Sequence, residues 1–584
     1  MPRAFTAFTS ALVLSLAAPL AVRAQQPPQP EPSGQVEKSL RPSKEPFLVQ
    51  EAAPPVITLP QRPDTRSPED AKVKFMVHSL LITGNKVFRS AELYRLLPGG
   101  SAKQTREMTL AELKDVAAKI TNHYRENGYG LAFAYVPAQE VLAGVVELVV
   151  MEGKIDKVLV TGNSHYSSEF IMDHVAGLQK TAMTLDDLER GLLTLNDYPG
   201  LKVGATLRAG DQPGTTDLYL SAEDEIPVAL TFDYDNFGSR NVGENRVGAG
   251  VRFNNLFNDG HSMGLRSVSG VDAAEGQLTF GRADYLVPFR SGSKLLLYGS
   301  LYDYKAKGPL EILEPAGSGE VYGLMLSHPF YRSHLFTLGV DLGIEVKNLQ
   351  QELLGQVTAE DHLRIGVLGG NLEWTDGADG RWIVQGHVRQ GLGEVAGGME
   401  KNDPDSSRFG ADGDFTRFDI LIYRIQKIFD WLHLIGKAYG QYCNDPLVIS
   451  EQISIGGQDS VRGHDPFEFM GDRGYTATAE LRAKLPFLDG INDPFKEGRT
   501  IVDMFQLAVF VDTGEAVRQD AAFGERAEQV LSGWGVGFRF DYPKVLSIRF
   551  DVGLPLSDEM VGGNGAVKDD NDPVFYASVI LNLN

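Results

Sequence analysis

The chain of 584 residues carries a formal net charge of −22, with 23% charged residues. That balance excludes nucleic acid as a partner, because neutralising phosphates takes a surplus of Lys and Arg. A single cysteine, Cys443, excludes an intrachain disulfide, and the length allows several domains.

Residues 1–24 have the layout of a secretory signal peptide. Arg3 gives a positive start, Ala11 to Leu20 an apolar core, and Val22-Arg23-Ala24 small residues at the cleavage positions. Beyond them no run of about 18 apolar residues occurs, which argues against spanning helices but not against spanning strands, whose residues are half polar. Residues 25–72 are rich in Pro, Gln, Glu and Ser, with Pro27-Pro28 and Pro54-Pro55 among them. Such a stretch buries too little apolar surface to fold alone, so it is expected to be an extended linker without a helix.

An internal repeat follows. Leu81-Ile82-Thr83-Gly84-Asn85 returns as Leu159-Val160-Thr161-Gly162-Asn163, and Met108-Thr109-Leu110 returns as Met183-Thr184-Leu185. Two landmarks in the same order, about 75–80 residues apart, predict two copies of one small α+β domain, over 73–153 and 154–224. The Gly-Asn pairs mark turns that need positive φ. Thr109 with Glu112, and Thr184 with Asp187, have the spacing of capping boxes.

From residue 225 to 584 period-two alternation dominates. In Trp534 to Asp541 the apolar side chains Trp534, Val536, Phe538 and Phe540 oppose Gly535, Gly537, Arg539 and Asp541. After a turn at Asp541-Tyr542-Pro543-Lys544, Leu546, Ile548, Phe550 and Val552 oppose Ser547, Arg549 and Asp551. Phe418 to Gly436, the most apolar stretch, is interrupted by Arg424, Lys427 and Asp430 and reads as a hairpin. A membrane barrel with an apolar outside and a wet inside fits this texture. At about 20–24 residues per strand and loop, the region holds about 16 antiparallel strands, an even number.

One loop, Ile455 to His464, places Arg462 between Val461 and Gly463. The next strand puts Glu480 and Arg482 on its polar face. In Phe505 to Gly514, Phe505, Leu507, Val509 and Val511 face outward, whereas Gln506, Ala508, Phe510, Asp512 and Gly514 face inward. An arginine carried into a semi-enclosed barrel needs a carboxylate, and a guanidinium–carboxylate pair can be bidentate. The expectation is a loop–lumen latch made by Val461, Arg462, Gly463, Asp512 and Gly514, beside the lumen-facing charges Glu480, Arg482, Arg539 and Arg549. The competing reading leaves Arg462 in solvent on a hairpin tip. No Gly-x-Ser-x-Gly motif and no His cluster at metal spacing occurs, so no catalytic residue, metal site or enzyme is expected.

Val461-Arg462-Gly463, Gly471-Asp472-x-Gly474, Phe510-x-Asp512-x-Gly514, Asp235-Asn236-x-Gly238 and the preceding repeat together resemble the two-partner secretion transporters, the ShlB/FhaC/HecB (TpsB) group of the Omp85 superfamily. The repeated domains resemble POTRA domains, with Gly128-Tyr129 and Val136-Pro137-Ala138-Gln139 matching their helix-to-strand segment. The resemblance implies a 16-stranded outer-membrane barrel in a Gram-negative cell, with two periplasmic POTRA domains. It further implies capture of an unfolded β-helical exoprotein by the POTRA domains through its N-terminal secretion domain, export through the barrel, contact with outer-membrane lipid, and the barrel-assembly machinery for its own insertion. Neither cofactor nor nucleotide is implied. An outer-membrane protein insertion factor is the alternative, which the count of two such domains disfavours. His464 departs from the family, where Tyr or Phe is usual, and the family's N-terminal plug helix has no counterpart visible in the linker.

Overall fold

The computed structural model describes residues 33–40, 55–58, 67–179, 182–212, 214–258, 260–271, 276–307, 311–493, 500–521, 525–556 and 572–583. The signal-peptide segment lies outside them. Sixteen antiparallel strands, from Val228–Asp235 to Val574–Leu583, form a closed barrel in which the last strand pairs with the first. An even number lets every neighbouring pair, the closing one included, run antiparallel, so no edge is left to meet lipid.

The alternation along the strands sets the two faces. In Phe505–Val517, Leu507, Val509 and Val511 are 43–51% exposed, whereas Ala508, Phe510 and Asp512 are at most 2% exposed. Because the side-chain period is two, a one-residue slip would turn the charged set toward hydrocarbon. The Phe418–Gly436 stretch forms the hairpin expected of it, between strands Thr416–Phe429 and Leu432–Cys443. Aromatic pairs crowd one end of the barrel: Tyr331 with Phe336, Trp374 with Trp382, Phe429 with Trp431, and Phe505 with Phe540. Rings of this kind, apolar with a polar edge, suit the level of the lipid headgroups.

The same end carries the soluble part. Residues 74–151 form a four-stranded sheet whose strands run in the order 103–109, 74–83, 145–151, 133–135, backed by helix Leu110–Glu126. Residues 154–224 repeat the pattern, with the first strand again parallel to the last, Lys154–Thr161 beside Thr215–Asp224. The likeness extends to single hydrogen bonds. Asn85 Nδ2 donates to Phe88 O and Ser90 Oγ, and Asn163 Nδ2 to Tyr166 O and Ser168 Oγ. Gly84 and Gly162 have φ of +80° and +88°, and a Cβ at either would lie 2.2 or 2.4 Å from a carbonyl oxygen of the neighbouring strand. Thr109 and Glu112 form the full capping box. Thr184 caps Asp187 N, but the shorter Asp187 carboxylate is held by the Thr184 hydroxyl instead.

The second domain is bound to the barrel's turns: Arg332 and Lys294 hold Asp197, Arg290 holds Asp173, His334 meets Glu189, and Lys544 holds Glu225. Three local features correct the linker reading of residues 25–72, the smallest a capped 3₁₀ turn at Pro68–Ala71. Ser33–Leu40 is an α-helix lodged in the barrel lumen, and Ile57–Thr58 is a short strand paired with the second domain. A helix of eight residues is too short to be stable alone. Its order comes from long-range contacts, and the one apolar pair at helical spacing, Val36 and Leu40, is too little to mark it in the sequence.

In the second domain, Asp224 closes the Gly162-Asn163 turn by accepting N–H bonds from Ser164, His165 and Tyr166 at 2.6–3.0 Å. Burial pushes its carboxyl up, and the three N–H groups with His165 outweigh it, so its pKa falls below the usual carboxylate value. A depressed carboxylate stabilises the fold above its unfolded pKa and loses that contribution as pH drops through the folded one. Hydrogen-exchange protection at residues 164–166, corrected for intrinsic rate, is expected to hold from about pH 7 to about pH 4 and to decline below that. Asp224→Asn should lower protection across the whole range. An unchanged profile in that variant would show the turn closed by something else.

Candidate functional site

At the barrel end away from the soluble domains, the chain leaves strand Leu432–Cys443 through a 3₁₀ turn, Ile449–Glu451. It then forms a short hairpin of Ile453–Ile455 with Phe469–Gly471. The residues between them fold down into the lumen. Val461 anchors this segment, fully buried among Ile453, Ile455, Phe469, Ala516 and Leu531.

Arg462 is 3% exposed. Its backbone N–H donates to Asp512 Oδ2 at 3.1 Å, its Nε to the same oxygen at 2.7 Å, and its Nη2 to Oδ1 at 3.0 Å. Nη1 donates to Glu480 Oε2 at 2.9 Å and lies 3.5 Å from Asp551 Oδ2. The guanidinium carbon sits 3.3 Å from the centre of the Phe510 ring, adding a cation–π contact from below. Three carboxylates on three strands thus surround one guanidinium, a planar fork suited to bidentate pairing.

Glu480, Arg482, Arg539 and Arg549 all lie in the same network. Glu480 Oε1 accepts from Arg482 Nε at 2.6 Å and from Arg539 Nη2 at 3.3 Å. Arg539 and Arg549 stand directly opposite each other across two strands, which alone would be repulsive. Asp551 relieves it, accepting from Arg539 at 2.5 Å and from Arg549 at 2.8 Å. Removing either partner of such a buried pair leaves an uncompensated charge, although the complete set adds little net stability. The network therefore sets position more than it adds stability.

Small residues make room for the loop. Gly463 has φ of +99°, and a Cβ there would lie 2.8 Å from the Leu554 backbone. At Gly514 an added Cβ would press Val461 and Ile455 at 3.1 and 3.2 Å. At Gly533 it would meet Arg462 O at 2.0 Å. His464 is fully buried, with Nδ1 3.1 Å from Glu468 Oε2 and Nε2 2.9 Å from Ser532 O. The Tyr576 hydroxyl accepts from Gly463 N and donates to His464 O.

The structure brings together every residue singled out for the loop and lumen. Asp551, Gln458 (whose Nε2 donates to Asp551 Oδ2 at 3.1 Å), Gly533 and Tyr576 were missed. Asp551 could have been found, since it alternates with Arg549 on the polar face. The part played by Gly533 depends on what lies opposite it, which no local pattern reports.

The helix Ser33–Leu40 fills another part of the lumen. Val36 and Leu40 pack among Val268, Phe280, Tyr302 and Leu349. Gln35 Nε2 donates to Ile449 O and Gln452 O, and Lys38 Nζ to Gln452 O. Ser39 Oγ accepts from Arg246, itself paired with Asp235. The turn it grips is the one that leads into the Arg462 hairpin. That turn is pinned in addition through Glu451, which is held at 2.5 Å by both Lys347 and Arg417.

Residues 214–540 match the family described as haemolysin secretion/activation protein ShlB/FhaC/HecB, and residues 75–153 match the POTRA domain, ShlB-type. The heme/hemopexin transporter protein HuxB of Haemophilus influenzae (strain 86-028NP) is 26% identical over 474 residues, covering 78% of this chain and 79% of its own length. The outer membrane transporter CdiB of Dickeya dadantii (strain 3937) is 23% identical over 469 residues, covering 76% of this chain and 80% of its own. The solved structure of CdiB from Escherichia coli superposes with a TM-score of 0.69 at 19% identity, covering 94% of this chain and 95% of that one. The family match spans more than half of the chain, so it belongs to the ShlB/FhaC/HecB family, the outer-membrane transporters of two-partner secretion, with its POTRA region on the periplasmic side.

Proposed function

We propose that this transporter captures an unfolded exoprotein in the periplasm through two POTRA domains, the second being residues 154–224, and passes it outward through the barrel, with the Arg462 loop as a latch. Docked, the loop and the helix Ser33–Leu40 occupy the lumen; undocked, they leave a polar passage. The passenger is a β-helical exoprotein with an N-terminal secretion domain, and its folding outside the cell draws the chain through.

One observation carries this reading. Arg462 lies on a segment rooted at the outer end of the barrel, and three strands of the wall offer it carboxylates. A hydrophobic anchor would cost its full burial energy on release. Here one apolar side chain, Val461, is joined by an ionic anchor that regains water on both partners, so docked and released states lie closer in free energy than an all-apolar anchor would leave them. The remaining wall is equally polar, with Arg266 paired to Asp233 and Arg252 to Asp284.

Arg462→Ala strands Asp512, while Glu480 keeps Arg482 and Arg539, and breaking one partner of a buried pair costs about 3–5 kcal/mol. The loop should leave the lumen, ion conductance in planar bilayers should rise, and secretion should fall. Asp512→Arg, which opposes two guanidinium groups, should be the more severe. A folded Asp512→Arg barrel that secretes at the unmodified level would falsify the latch.

Capture is tested separately. Deletion of residues 73–224 should leave a barrel that still migrates as folded in unheated electrophoresis, yet secretes nothing. Secretion by the deleted form would assign capture to the barrel itself.

A further inference from the structure

The sheet of the second domain has an edge that is built for main-chain recognition and already in use. Strand Leu201–Ala209 pairs along its outer side with Ile57–Thr58, in parallel, Ile57 opposite Ala205 and Thr58 opposite Thr206. Ala205 N–H donates to Val56 O at 2.9 Å. Two residues back along the strand, the side chain of Asn196 takes both main-chain groups of Val203. Its Oδ1 accepts from the N–H at 2.6 Å and its Nδ2 donates to the carbonyl at 3.3 Å. The described residues of the linker thus cover two register positions of a strand of nine residues.

The side chains at this edge have two distinct faces. Leu201, Val203, Ala205 and Leu207 are buried in the domain core, and Ile57 packs against the same cluster. Thr206 and Arg208 lie on the other face, where Arg208 stacks over Tyr219 at 4.6 Å and Thr58 is exposed. An incoming strand in the same register meets apolar surface opposite Ala205 and Leu207 and polar surface opposite Thr206 and Arg208. That is the period of an extended segment alternating apolar and polar residues.

We infer that this edge is the docking strand for the passenger and that Val56–Thr58 is a guard which the passenger displaces. The inference rests on the reading that the chain secretes an unfolded polypeptide. An uncovered edge would pair with any exposed strand, including that of a second copy. A tethered guard is always at hand, at high effective concentration. Its described residues pair at two positions, and a segment that continues to Ala209 gains main-chain bonds beyond those two.

Thr58→Cys together with Thr206→Cys places two thiols at directly paired positions, and the single native cysteine, Cys443, is buried. The full-length solubilised protein is titrated with a fluorescent nonapeptide of alternating Val and Thr flanked by lysines, oxidised and then reduced. The reduced protein should bind it, with exchange at amides 56–58 accelerating, and the oxidised protein should bind on the order of tenfold more weakly. Equal binding in both states, or binding in neither, would overturn the guard. Secretion by the reduced double variant in cells is read separately: its loss there with peptide binding intact speaks against the transport reading and not against the docking edge.

Discussion

A guanidinium buried in a barrel is tolerated only where carboxylates wait for it, and that requirement organises this molecule. Arg462 is met by Asp512, Glu480 and Asp551 from three separate wall strands. Each carboxylate must stand at the right height on its strand and on the inner face. The register of those strands is therefore tied to the position of one loop residue, and the hydrophobic outer face enforces the same register from the other side. Arg482, Arg539 and Arg549 extend the network, so the lumen wall is a lattice of alternating charge rather than a set of isolated pairs.

The helix Ser33–Leu40 and the Arg462 hairpin are joined by a single element. Gln35 and Lys38 grip the carbonyls of Ile449 and Gln452, and the hairpin begins at Ile453. Gln452 in turn donates to Asp472, the residue that follows the hairpin. Asp472 also accepts from Leu447 N and Gln519 N and pairs with Arg408. Both roots of the loop and the helix contact thus meet at one fully buried carboxylate. A displacement of the helix reaches the loop through a few hydrogen bonds rather than through the barrel wall.

Much of this was legible in the amino-acid sequence, for a physical reason. A strand with lipid on one side and water on the other must alternate, so Leu507, Val509 and Val511 against Ala508, Phe510 and Asp512 could be assigned to faces from period alone. The duplicated Gly-Asn turns were readable because each needs positive φ and a side chain that closes on its own backbone. The helix at Ser33 and the strand at Ile57 were not readable. The helix shows a single apolar i,i+4 pair and the strand two residues, and each is ordered by partners hundreds of residues or one domain away: Ile449 and Gln452 for the helix, Ala205 for the strand. The cage around Arg462 lay between these extremes. Asp512 and Glu480 were visible as inward charges, whereas the space left by Gly533 depends on the loop that fills it.

Val461 is fully buried when the loop is docked, and Cys443 is buried as well. In cells carrying Val461→Cys, a membrane-impermeant maleimide added outside should react slowly, and adding Asp512→Asn should accelerate the reaction severalfold by freeing the loop. Fast labelling in the presence of an intact Asp512, or a rate indifferent to Asp512, would contradict an arginine-held loop inside the barrel.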